Sequence, residues 1–274
     1  MRDSRNASSP ATAADDTVTT VAALTELIAF LDELLQPERF EDHCPNGLQV
    51  PGREDVAVVA TGVSAGRELL ERAVAADAGL VLTHHGLFWK GLPLGIDRVG
   101  RERLRLLFDH DVSLASYHLP LDAHIEHGNN ALLAAALGAE LTTQFPDHAP
   151  TPIGVTARLP GDGITPADLV ARTRDAVGGR EPLAFLAGPE RIRTVAVVSG
   201  GGSNHLHDAI AAGLDAFLTG EPTEWVMLLA REHGIHYLAA GHYATETLGV
   251  RRLGDLLAER FDVEHVFIDV PNPI

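Results

Sequence analysis

The stretch that decides the fold is Val56-Ala-Val-Val59, which is followed by Gly62 and Ser64. The same pattern returns as Val195-Ala-Val-Val198, followed by Gly201 and Ser203. Continuous apolar runs of this kind are typical of strands buried on both faces, as in parallel sheets covered by helices. The two stretches therefore predict an α/β fold.

Two further blocks repeat in the same order behind these runs. Three ordered matches are hard to attribute to strand composition alone, so we predict an internal duplication that gives two similar α/β lobes. Paired lobes commonly place a ligand site in the cleft between them. The matching blocks are Asp77-Ala78 ahead of Leu82-Thr83 with Asp215-Ala216 ahead of Leu218-Thr219, and Leu114-Ala115 with Leu238-Ala239.

The predicted boundaries follow from the composition and the repeats. Residues 1–18 are rich in Ser, Ala and Asp, and we predict a disordered tail there. The first α/β lobe spans 19–128, and the second spans 129–274, with a C-terminal segment that can pack back on the first lobe. Between the repeats, the pattern predicts a helix near Pro166–Ala176 with a short strand on each side.

Composition narrows the function classes. The chain has 274 residues and a net charge of −17, so it repels phosphate backbones, and nucleic acid or anionic membranes are disfavoured as partners. No run approaches the roughly 18 apolar residues of a membrane span. Cys44 is the single cysteine, which rules out an intramolecular disulfide and favours a reducing, cytoplasmic location. A nucleophilic role for Cys44 is open, although an unreactive buried thiol is the more common case.

Three clusters of histidine and carboxylate each follow a predicted strand. His84 and His85 come directly after the strand predicted over Leu80–Thr83, where α/β sheets carry their ligands. Adjacent histidines on an extended strand point to opposite faces, but at a strand end both rings can converge. Taken alone, such a pair is as readily a packed or hydrogen-bonded spectator as a metal site.

The other two clusters occupy equivalent places in the repeats. His118 and Asp122 follow the strand predicted over Val112–Tyr117, and Pro120 between them predicts a loop. His242 and Glu246 follow the strand predicted over Ile235–Ala239. On a helix this four-residue spacing places both side chains on one face. Taken alone, Asp122 is typical of a turn residue. His242 and Glu246, taken alone, are typical of a His–Glu pair on the surface of a helix.

Together the clusters predict a dinuclear metal centre. Imidazole and carboxylate without cysteine suit Fe, Mn or Zn. Five or six ligands exceed the needs of one tetrahedral ion, and a carboxylate can bridge two ions. Two divalent ions also lower the pKa of water and so provide a nucleophile near neutral pH. The candidate ligands are His84, His85, Asp122, His242 and Glu246, with His118 as a sixth candidate.

Several motifs together resemble the Nif-three-like proteins, dinuclear-metal hexamers often named GTP cyclohydrolase 1 type 2 homologs. They are Asn46-Gly-Leu-Gln49, Thr83-His-His-Gly86, Tyr117-His-Leu-Pro-Leu-Asp-Ala-His124, Gly128-Asn-Asn130 and Gly241-His242 with Glu246.

The resemblance has specific implications for the site and the assembly. It implies that His84, His85, Asp122, His242 and Glu246 bind two divalent metals, and it places His118 beside the site or in proton transfer. It also implies a toroidal homohexamer with the metals facing an inner cavity.

Two functions follow as hypotheses. The first is a metal-dependent hydrolase acting on a small, nucleotide-like substrate, with Glu246 bridging the ions and His118 carrying a proton. The resemblance adds GTP cyclohydrolase as the activity. The alternative is a non-catalytic metal-binding hexamer that regulates or scaffolds a partner protein.

Overall fold

The computed structural model describes residues 20–274, so the predicted tail over 1–18 lies outside the described part of the chain. Strands and helices alternate along most of it. The strands are β1 Ala22–Ala23, β2 Gly47–Val50, β3 Asp55–Val56, β4 Val58–Ser64, β5 Leu80–His85, β6 Ser113–Ser116, β7 Glu140–Phe145, β8 Gly154–Arg158, β9 Leu183–Phe185, β10 Thr194–Val198, β11 Ala216–Thr219, β12 His236–Ala239 and β13 Glu264–Phe267.

The helices fill the connections between these strands. They are α1 Leu24–Leu35, α2 Arg67–Ala75, α3 Arg98–Asp109, α4 Leu119–Ala123, α5 Asn129–Ala136, α6 Pro166–Ala176, α7 Leu206–Ala211, α8 Val226–His233, α9 His242–Thr245 and α10 Thr247–Phe261, with short 3-10 turns at Pro37–Arg39 and Gly202–His205. The predicted helix at Pro166–Ala176 is confirmed with the same bounds. No helix within residues 20–274 is both long and apolar enough to cross a membrane.

Two larger sheets organise the chain, and both have a parallel centre with at least one antiparallel edge strand. The five-stranded sheet has the order β13-β4-β5-β6-β2, in which only β2 is antiparallel to its neighbour. The six-stranded sheet has the order β7-β8-β10-β11-β12-β9, with β10, β11 and β12 parallel. The predicted α/β class is confirmed. Each sheet contains three consecutive parallel strands joined by helices, which is the arrangement that a duplication predicts.

The second apolar run and the Val58-Val59 half of the first lie on inner strands of these sheets, whereas Val56 belongs to β3, which pairs with β1. On β4, Val59 and Val63 face a core formed with α1 and α10, while Val58 and Ala60 face a core formed with α2 and α3. Alternate residues of a strand point to opposite faces, so a strand covered on both sides must be apolar throughout.

The second run has the same relation to its sheet. Val195 and Val197 of β10 pack in one core with α5 and α6, and Ala196 and Val198 pack in another with α7 and α8. The C-terminal segment contributes to the five-stranded sheet, because β13 pairs with β4 and Leu253 of α10 packs in the core beneath it.

Two local predictions need correction. The strand β5 runs through His85 and does not end at Thr83, so the paired histidines are its last two residues. The segment between His118 and Asp122 is a short helix and not a loop. Pro120 is compatible with it because it lies in the first turn, where a proline removes no intrahelical hydrogen bond.

Candidate metal centre

All five predicted ligands meet where the ends of the two sheets face each other. His84 and His85 come from the end of β5, and Asp122 comes from α4. His242 opens α9 behind Gly241, whose φ of +101° is readily adopted only by glycine. Glu246 directly precedes α10, whose Val250, Leu253 and Leu257 are fully buried and anchor it.

The carboxylate of Glu246 lies between two groups of ligands. Its Oε1 is 3.5 Å from Nε2 of His84, and Nε2 of His84 is in turn 3.6 Å from Oδ2 of Asp122. Its Oε2 is 3.3 Å from Nε2 of His85 and 3.2 Å from Nε2 of His242. Two clusters of potential ligand atoms therefore share Glu246, one with Asp122 and one with His242, and a further group joins His84, His85 and His118.

The three histidines are oriented in the same way. His84 donates from Nδ1 to the carbonyl of Tyr117 at 3.0 Å, and Nδ1 of His85 bonds Ser64 Oγ at 2.9 Å. Nδ1 of His242 bonds the carboxylate of Glu221. Each ring therefore turns Nε2 toward the carboxylates, with its other nitrogen fixed by a separate partner. Histidines that ligate metals are held in this way.

Buried hydrogen bonds hold Asp122 in place. Its Oδ1 accepts from Asn129 Nδ2 at 2.8 Å and from Ser199 Oγ at 3.0 Å, which leaves Oδ2 facing His84. Asn129 is fully buried and also accepts from the backbone N–H of Gly249 at 2.8 Å. One side chain thus connects α4 with α10, so the positions of Asp122 and Glu246 are coupled.

Histidines and carboxylates of opposite charge lie close together in the centre, and this shifts the pKa values of both. Burial opposes protonation of His84, but the facing carboxylates of Asp122 and Glu246 outweigh it and raise its pKa from 6.5 to about 9. Burial also opposes protonation of His242, yet Glu246 and Glu221 raise its pKa to about 9. Burial and the neighbouring His84 lower the pKa of His85 to about 3.

The pKa values of the two carboxylates shift in opposite directions in this environment. Burial raises the pKa of Asp122, and the charge of Glu246 adds to this effect. Burial acts on Glu246 in the same direction, but the facing histidines prevail and lower its pKa below its usual range. At neutral pH the cluster therefore holds an ionised Glu246 beside protonated His84 and His242, and a bound cation can replace their additional protons.

The residues fit a pair of divalent ions. Nε2 of His84 and Oε2 of Glu246 are buried and make no hydrogen bond among the described residues. Such orphaned atoms are rare and costly unless a ligand satisfies them. Two donors held by one ion at about 2.1 Å and a tetrahedral angle are about 3.4 Å apart. The separations of 3.2 to 3.6 Å between these donors match that spacing.

His118 lies beside the centre and belongs to a separate dyad. Its ring centroid is 5.0 Å from that of His84 and 5.6 Å from that of His85. Its Nδ1 lies 2.7 Å from Oδ1 of Asp42, and the other oxygen of Asp42 accepts from the backbone N–H of Leu119 at 3.0 Å. The dyad fixes the tautomer and direction of the imidazole, as a carboxylate does for a histidine that carries protons.

Cys44 is buried next to this dyad. Burial and the charge of Asp42 raise the pKa of its thiol to about 12, so it remains protonated at neutral pH. The nucleophilic role considered for Cys44 is therefore not supported, since the thiolate is the reactive form.

Sequence reasoning missed three residues of the site. Asp42 and Glu221 each hold a histidine, and Gly200 leaves room for the carboxylate of Glu246. A Cβ at Gly200 would overlap Oε1 of Glu246 and lie 3.0 Å from Nε2 of His242. The one available signal was the run of three glycines, Gly200 to Gly202, that follows β10.

The comparisons with known proteins agree with this fold. A family model described as Duf34/NIF3 (NGG1p interacting factor 3) matches residues 22–273. The chain belongs to this family. Its NIF3 relatives include a protein of Pseudomonas aeruginosa named GTP cyclohydrolase 1 type 2 homolog, which is 47% identical over 251 residues, or 92% of this chain and 98% of that protein.

Solved structures of NIF3 relatives extend the agreement to three dimensions. The structure described as "protein ybgI, unknown function" is similar with a TM-score of 0.87 at 41% identity, and it covers 92% of this chain and 100% of that one. The crystal structure of TTHA1606 from Thermus thermophilus has a TM-score of 0.80 at 35% identity, with the same coverage. The family resemblance predicted from the motifs is confirmed.

Proposed function

We propose that this NIF3 protein is a dinuclear divalent-metal hydrolase that acts on a nucleotide-like substrate. The observation that carries the proposal is the shared Glu246, which belongs to both ligand clusters. His84, Asp122 and Glu246 would hold one ion, and His85, His242 and Glu246 the other. The relatives' name, GTP cyclohydrolase 1 type 2 homolog, supports the choice of a nucleotide.

The chemistry divides between the ions and the chain. Bound divalent ions supply Lewis acidity and lower the pKa of water near them. Glu246 holds the two clusters together, and Glu221 and Tyr117 fix the histidine rings. His118, held by Asp42 through Nδ1, presents its other nitrogen as a base that accepts a proton from water and returns it to the leaving group.

Access to the centre supports a small substrate. A cavity of about 430 Å³ is lined by His85, Glu221 and His242 and by the C-terminal residues 270–274. This volume lies within the range of sites that bind small molecules.

We further propose the toroidal homohexamer and a cytoplasmic location. Light scattering of the purified protein tests the assembly, for which we expect six times the mass of one chain.

Metal analysis and turnover test the proposal together. The purified protein should contain divalent ions and should turn over at least one member of a panel of GTP, cyclic dinucleotides and phosphodiesters. Glu246→Gln should abolish that turnover. Fewer than one divalent ion per chain contradicts the proposal. Bound metal with no turnover of the panel, together with a partner protein captured only without chelator treatment, favours the non-catalytic scaffold instead.

A further inference from the structure

A second cavity, of about 410 Å³, adjoins the first and shares His85 and His242 with it. Arg103 of α3 and Trp89 also line it. Among residues 20–274, no Asp or Glu lines this cavity, although the chain carries 38 acidic and 21 basic residues. The cavity lies directly against two of the predicted metal ligands, His85 and His242.

Arg103 is the one guanidinium in this cavity, and it lacks a counter-ion. It makes no ion pair or hydrogen bond within the described residues, and its Nε is buried without a partner. Two other arginines of α3 are paired, since Arg101 lies 3.6 Å from Glu102 and Arg105 lies 2.9 Å from Asp109. Buried polar atoms without partners are uncommon, and an anion bound to the guanidinium of Arg103 would provide the missing partner.

The surroundings add to the positive potential. Gly66, which lines the cavity, precedes the nine-residue helix α2 and caps it without a side-chain hydrogen bond. The N-terminus of a helix carries partial positive charge. Two divalent ions behind His85 and His242 would act in the same direction. An arginine fork in such a field is suited to bidentate binding of a phosphate or carboxylate.

We propose that Arg103 binds an oxyanion of the substrate, the phosphate of a nucleotide, in the cavity beside the metal centre. The proposal rests on the proposed function in that it places the reacting part of the substrate at His85 and His242. Arg103 would then determine specificity, because a neutral analogue of the substrate would leave its charge unpaired.

The experiment measures binding of inorganic phosphate and of GMP by calorimetry, in the protein as purified and after chelation. Arg103→Gln should weaken both by about 10- to 100-fold, the usual effect of a lost charged hydrogen bond. Arg103→Lys should be intermediate, since it keeps the charge but not the fork. Arg105→Gln, on the same helix, is the matched control and should stay within about twofold of wild type.

The outcomes separate the two proposals. Phosphate binding that is unchanged in Arg103→Gln, or absent from the wild type, overturns the role of Arg103, whatever the turnover. Binding that depends on Arg103 in a protein without turnover supports the oxyanion site and overturns the hydrolase. If Arg103→Gln fails to fold, Arg103→Lys decides: binding equal to wild type overturns the role of the fork. For any substrate turned over, Arg103→Gln should raise KM more than it lowers kcat.

Discussion

Oε1 of Glu246 lies 3.5 Å from Nε2 of His84, and neither residue has any appreciable contact with solvent. The imidazole cannot donate to this carboxylate when it is neutral, because its single ring proton is used at Nδ1 by the carbonyl of Tyr117. The pair is therefore stable only with an additional proton or a cation between the two atoms. Which of these the protein uses can be measured.

The raised pKa values of His84 and His242 predict that metal binding releases protons. Both rings hold a second proton up to about pH 9 without metal, and a metal ligand must give it up. Metal affinity should therefore rise as the pH increases toward 9. Calorimetry at pH 7.5 in buffers of different ionisation enthalpy should show release of at least one proton per chain, and no release would contradict the charge assignment.

The metal-free protein should respond to pH in the opposite sense. A pKa raised from 6.5 to about 9 in the folded state stabilises the fold fully below pH 6.5. That contribution is lost as the pH rises through 9. Urea unfolding of chelated protein should thus show a falling free energy of unfolding between pH 6.5 and 9, and metal-loaded protein should not. A chelated protein that gains stability over this range would contradict the assignment.

Asp42→Asn should lower turnover and leave the metal in place. The amide replaces one of the two accepting oxygens of Asp42 with an NH2 donor, which can donate to Nδ1 of His118, so the ring loses its fixed tautomer. Changes of this kind cost about 10- to 100-fold in activity. Nitrogen NMR of the His118 ring reports the tautomer directly. Cys44→Ala is the matched control beside the dyad and should retain turnover. Unchanged activity and tautomer in Asp42→Asn would exclude the role of the dyad.

Gly200→Ala should release metal. Gly200 has a φ of +59°, and its added Cβ would overlap Oε1 of Glu246. Gly213→Ala provides a close control, since Gly213 has a φ of +66° and nothing lies within 4 Å of its Cβ position. Both changes should cost about 1 kcal/mol of stability through backbone strain. Only Gly200→Ala should weaken metal binding, by about tenfold or more. Equal metal affinity in the two variants would contradict the conclusion that Gly200 leaves the room which the Glu246 carboxylate needs.

Much of the framework could be predicted from the sequence because it depends on local patterns. The apolar runs at Val56 and Val195 predicted buried central strands, and these runs do lie in cores on both faces of each sheet. The helical spacing predicted that His242 and Glu246 share a face, and their donor atoms are 3.2 Å apart. The duplication and the domain boundaries stay predictions, although both sheets share the same parallel centre.

What the sequence did not reveal depends on contacts between distant segments. Asp42 reaches His118 across 76 positions, and in the sequence it resembles any aspartate that opens a turn. Glu221 follows β11 in a stretch without a histidine beside it, so no spacing connects it to His242. The unpaired state of Arg103 is visible only when all carboxylates near it have been placed.

The most direct test of the central claim is the metal stoichiometry of single-ligand variants, measured by mass spectrometry of the elements after equilibration with Mn, Fe or Zn. We predict two ions per chain in the wild type, one in Asp122→Asn, one in His242→Ala and fewer than one in Glu246→Ala, because Glu246 alone belongs to both clusters. A wild type that saturates with one ion, or a Glu246→Ala variant that keeps two, would contradict the shared-carboxylate centre.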